Sequence, residues 1–70
     1  MGKRLADARR AAGMTQEQLA ARLGVSQATV AMYEAGMRTP PGPALVAMAR
    51  ILGVAAESLI DADPPAAVGD

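Results

Sequence analysis

Seventy residues make one small domain, which buries only about 60% of the surface its unfolded chain exposes and leaves no room for a separate substrate domain. Cysteine and histidine are both absent, which removes disulfides, zinc sites of the usual ligand types, thiol nucleophiles and the commonest general base. Seven basic and seven acidic side chains cancel, but all seven basic ones lie in residues 1–50 against three acidic ones (Asp7, Glu17, Glu34), a local +4, and the other four acidic ones follow.

In chain order, residues 3–12 are predicted as a first helix with Leu5, Ala8 and Ala12 inward and Gly13 as its stop. Thr15 opens the second. Its hydroxyl can cap the first turn while Gln18, three residues on, reaches back to the Thr15 N–H, and Met14 can staple onto Leu19. Gly24 supplies the left-handed conformation that ends this helix. Ser26 can then cap a third, with Val25 stapled to Val30. Leu19, Ala20 and Leu23 share one face of the second helix; Val30 and Tyr33 share one face of the third, and the two faces must meet. Ala20 falls where the axes cross, so a larger side chain there would push the helices apart.

Residues 36–43, GMRTPPGP, form a loop by composition. A fourth helix is predicted over residues 43–52, with Leu45, Met48, Ala49 and Leu52 on one face, Pro43 in its first turn and Gly53 at its end. Val54 begins a short fifth helix whose Leu59 closes the core. Residues 61–70, DADPPAAVGD, lack the apolar content to pack. The expected architecture is therefore an all-α, compact five-helix bundle, with a domain over residues 1–61 and a disordered tail over 62–70. No signal-type apolar stretch follows Lys3 and Arg4, and no run approaches the roughly 20 apolar residues that cross a bilayer. A soluble cytoplasmic protein without membrane contact is expected.

Two short capped helices joined across a glycine turn form the unit that usually presents its second helix to the DNA major groove. Turning about 100° per residue from buried Val30 places Ala28, Ala31, Met32 and Ala35 outward, with Gln27 and Thr29 on the flanks. Gln27, at the helix start, can pair with adenine N6 and N7. Ala28 and Met32 offer apolar contact to thymine methyl groups, and Thr29 can reach a phosphate or a base. Thr15, Gln16 and Ser26, at helix N-termini, are the expected phosphate contacts. Arg38, in the following loop, can hold a phosphate by two bonds. Lys3, Arg4, Arg10 and Arg22 read as solvated charges, with a phosphate contact by Lys3 or Arg4 left open. The local +4 is compatible with a basic DNA-facing side and an acidic far side.

The segments TQEQLA, LGVS, YEAGMRTP and LVAMARILGV, followed by Leu59 and Ile60, stand in one register across residues 3–61. In them the chain resembles the Cro and C1 phage repressor helix-turn-helix family, also common in bacterial transcription regulators, restriction controllers and antitoxins. The resemblance implies a lambda-repressor-like fold. It also implies a structural salt bridge between Arg9 and Glu34, and a Gln16 that contacts the DNA backbone or assists the first glutamine of the reading helix. The chain departs from strong members in its outward face, where glutamine, asparagine, arginine or lysine are often more numerous.

The function so implied is sequence-selective binding of double-stranded DNA by a repressor-like transcriptional regulator, or by an engineered or excised domain with the same contact surface. Half-sites about one helical turn apart would be read by a homodimer paired through Ala55, Ala56, Glu57 and Ile60. The alternative is a protein-protein interaction module on the same fold, antitoxin-like or regulator-binding, for which the neutral charge and the alanine and methionine face of the third helix speak. Salt separates the two, because DNA binding weakens as salt rises. No enzyme, metal, cofactor or small-molecule substrate is expected, since Ser26 and Ser58 lack activating partners and no catalytic constellation exists.

Overall fold

A computed structural model describes residues 1–60 of the chain. It contains the helices Gly2–Ala11 (α1), Gln16–Leu23 (α2), Gln27–Glu34 (α3) and Gly42–Leu52 (α4), followed by a 3₁₀ turn over Ala56–Leu59. Asp61 and the tail over residues 62–70 lie outside the described residues. Among the described residues the fold is all-α, and no helix is long and apolar enough to cross a membrane.

The central helix pair is set by local chemistry. The Gln18 N–H donates to Thr15 Oγ1 at 3.0 Å, and the Thr15 N–H donates to Gln18 Oε1 at 2.9 Å, so both halves of the capping box form. Gly24 ends α2 at φ +81°, where an L side chain would be strained, and its N–H and that of Val25 both donate to the Ala20 carbonyl. Ser26 then caps α3 by accepting from the Thr29 N–H at 3.2 Å. The turn between the helices therefore needs no long-range contact to define it.

Packing joins these local pieces. Each element supplies one fully buried side chain: Leu5 from α1, Leu19 from α2, Val30 from α3, Met48 from α4 and Leu59 from the 3₁₀ turn. At about 2 kcal/mol for a fully buried aliphatic side chain, these five draw every element to one centre. Ala20, Tyr33, Ala49 and Leu52 complete the core, with Met14, Leu23, Val25 and Leu45 packed on its edge. α3 packs against both α2 and α1, and α4 packs against α2 and the 3₁₀ turn.

Three features differ from the expectation. The fifth helix is a 3₁₀ turn, so there are four α-helices among the described residues. The turn has no side-chain cap and closes by i to i+3 bonds from the Ser58 N–H to Ala55 and from the Ile60 N–H to Glu57. Ala12, expected inward, is exposed, because α1 stops at Ala11 and Ala12 is already its C-cap. The buried stripe of α1 runs instead through Gly2, Leu5, Ala6 and Arg9. Finally, α4 begins at Gly42 with Pro41 as N-cap, which puts Pro43 one position deeper in the first turn.

Candidate nucleic-acid interface

Gln27 is the first residue of α3 and is exposed beside the N-terminus of α2. Its Nε2 donates to Gln16 Oε1 at 3.1 Å. Gln16 is half-buried, and its own Nε2 donates to Glu34 Oε1 at 2.9 Å. Glu34, in the last turn of α3, also accepts from Arg9 of α1, Nε to Oε2 at 2.6 Å and Nη2 to Oε1 at 3.2 Å. Arg9 Nη1 donates to the Met14 carbonyl at 2.7 Å. A single hydrogen-bonded chain thus runs from α1 through the end of α3 and the start of α2 to the exposed start of α3.

The ionic end of this chain is shielded, since the Arg9 and Glu34 side chains are only 11% and 7% exposed. Burial pushes the Glu34 carboxyl up, but hydrogen bonds from Arg9 and Gln16, together with the charges of Arg9 and Arg10, outweigh it and leave the group below its ordinary value. Among the described residues no buried side-chain nitrogen or oxygen lacks a hydrogen-bond partner.

The other candidate contacts spread around this chain. Ala28 is exposed, while Thr29, Ala31 and Met32 are half-buried, so Met32 presents only part of its side chain. Thr29 Oγ1 and Ser26 Oγ lie 3.0 Å apart in a mutual hydrogen bond, which ties both hydroxyls to the start of α3. Thr15 is exposed at the start of α2 with its oxygen in the capping box. Arg38 is exposed in the α3–α4 loop, next to Met37, which is 77% exposed and to which the sequence assigned no role. Among the described residues no group of three or more acidic side chains could hold a metal.

The order of α2, glycine turn and α3, with paired glutamines at their starts, coincides with a family assignment. Residues 5–59 match the family model described as helix-turn-helix. The chain belongs to the Cro/C1-type helix-turn-helix family. Within it, the chain is similar to the uncharacterized HTH-type transcriptional regulator YobD of Bacillus subtilis (strain 168), 35% identical over 66 residues that cover 89% of this chain. The match covers only 59% of YobD, so the chain spans less than two thirds of that curated relative.

Solved helix-turn-helix proteins share the fold. The restriction-modification controller protein C.AhdI from Aeromonas hydrophila superimposes with a TM-score of 0.78 at 30% identity, over 84% of this chain and 89% of that one. The P22 c2 repressor, solved in complex with synthetic operator 9T, gives 0.80 at 26% identity over 89% and 94%. SinR, a master regulator for biofilm formation solved in complex with DNA, gives 0.79 at 24% identity over 86% and 100%, a likeness of fold alone.

Proposed function

We propose that this helix-turn-helix domain binds double-stranded DNA sequence-selectively, with α3 in the major groove, and serves a repressor-like regulator of transcription in the cytoplasm. The observation that carries this reading is Gln27, exposed at the start of α3 and held by Gln16. A start-of-helix side chain enters the groove most deeply, and the free edge of this amide matches adenine N6 and N7. Ala28 and the exposed part of Met32 add apolar contact to thymine methyl groups, and Thr29 lies on the flank.

Thr15, Gln16 and Ser26 sit at the N-termini of α2 and α3, which the Gln27–Gln16 hydrogen bond holds together, and there N–H groups and the helix dipole favour phosphate. Arg38 holds the backbone from the α3–α4 loop. The similarity to the P22 c2 repressor, solved with its operator, and to a transcriptional regulator supports this assignment. The domain pairs on DNA through the 3₁₀ turn and the residues flanking it, where Ala55, Glu57 and Ile60 are exposed and Ala56 is half-buried. Ile60, 45% exposed, is the largest apolar group of that surface.

Selection from random duplexes tests the reading. A selected site with two half-sites about one helical turn apart is the expected result. If no sequence is enriched and scrambled DNA binds equally, the reading is wrong.

A further inference from the structure

We propose that Glu34 is a positioning residue for base choice: acting through Gln16, it fixes which way the Gln27 amide faces the groove, and so favours adenine over guanine. The inference rests on the reading of α3 as the base-reading helix. It follows from donor and acceptor accounting along the hydrogen-bonded chain.

A guanidinium has only donors and an ionised carboxylate only acceptors. Glu34 must therefore be met by the NH₂ group of Gln16, as it is at 2.9 Å. Gln16 is then obliged to turn its carbonyl oxygen to Gln27, and Gln27 to answer with its own NH₂ group, as it does at 3.1 Å. What remains of Gln27 for a ligand is one carbonyl oxygen and one N–H. Adenine presents a donor at N6 and an acceptor at N7, the complement of that pair; guanine presents two acceptors, O6 and N7, and would need both N–H groups of the amide. To read guanine, Gln27 would have to release Gln16.

Glu34→Gln removes the constraint without changing shape. A glutamine there can keep its oxygen on Arg9 Nε, the shorter contact at 2.6 Å, give up the longer one from Nη2 at 3.2 Å, and offer an NH₂ group to Gln16. Both remaining amides can then turn over together. Gln16 would donate to the Gln27 oxygen, leaving Gln27 with two N–H groups for the base, the set that guanine accepts.

The experiment compares two duplexes that differ only by A·T or G·C at the position where Gln27→Ala abolishes discrimination. Binding to each is measured by fluorescence anisotropy for the full chain, E34Q and Q16A, after thermal melts establish that each variant is folded at the working temperature. The wild type should favour adenine by roughly tenfold or more, the discrimination of a good bidentate pair. E34Q should narrow that ratio at least about threefold or invert it, and Q16A, which leaves the Arg9–Glu34 pair intact, should narrow it too. Equal weakening of both duplexes with an unchanged ratio would show a merely structural role and overturn the proposal. If E34Q does not fold, the ratio for Q16A decides. A wild type with no adenine preference at any position overturns the base-reading claim and this inference together; a wild-type preference that both variants retain overturns this inference alone.

Discussion

Gly2, at the start of α1, lies against the backbone carbonyl of Glu34, at the end of α3, so closely that a Cβ added at Gly2 would stand 2.8 Å from the carbonyl carbon and nearer still to its oxygen. The N-terminus of one helix dipole here meets the C-terminus of another, a favourable alignment that only a residue without a side chain permits. The contact also places α1 so that Arg9 reaches Glu34.

Gly2→Ala should therefore destabilise the domain by about 1–3 kcal/mol, the range for overpacking, because the atoms in the way are backbone and cannot rotate aside. Urea denaturation measures this. A variant as stable as the wild type would mean that α1 can shift at no cost.

Arg9→Ala removes three hydrogen bonds and leaves Glu34 shielded without its countercharge. Breaking a buried pair by deleting one partner costs about 3 kcal/mol or more, and a partial exposure of 11% and 7% leaves little water to compensate. Chemical denaturation should show a loss of that order; a change under about 0.5 kcal/mol, typical of surface pairs, would contradict the shielded geometry.

Glu34 also gives stability a pH dependence. Its folded-state pKa is lowered, so the unfolded chain takes up a proton at higher pH than the folded one. The associated stability is fully present above the ordinary glutamate value and is lost as pH falls through the lower folded value. Acid titration of the denaturation midpoint should show this loss in the wild type and a flatter acid limb in Glu34→Gln. Identical acid limbs would refute the assignment.

Ala20 is buried in α2 within the core that α2 shares with α3 and α4. Ala20→Leu should cost about 1–3 kcal/mol from overpacking, or more if the helices must separate, and circular dichroism melts would register it. An unchanged melting temperature would place the helix crossing elsewhere.

The helix pair was legible because its determinants are local: Thr15 and Gln18 are three residues apart, as are Ser26 and Thr29, and Gly24 acts on its own backbone. The core was legible from periodicity wherever a helix had a definite end, which is why Leu19, Val30, Met48 and Leu59 are buried as expected, while Ala12, at a boundary one residue off, is exposed where an inward side chain was expected. Gly2 could not be found this way. Its constraint is a neighbour 32 residues along the chain, and a glycine near a terminus carries no pattern. The chain from Glu34 through Gln16 to Gln27 spans separations of 18 and 11 residues and exists only once α2 and α3 have packed. The 3₁₀ turn was missed because four residues are too few to distinguish its period from that of an α-helix.

Recognition of DNA bases by α3 is tested most directly by titrating the selected duplex and a scrambled one with the wild type, Gln27→Ala and Arg38→Ala at two salt concentrations. Wild-type binding should weaken as salt rises and favour the selected duplex. Gln27→Ala should lose mainly that preference, by about 1–3 kcal/mol, and Arg38→Ala should weaken both duplexes alike and lower the salt dependence. Salt-independent binding without preference, or equal effects of the two substitutions, would contradict the account.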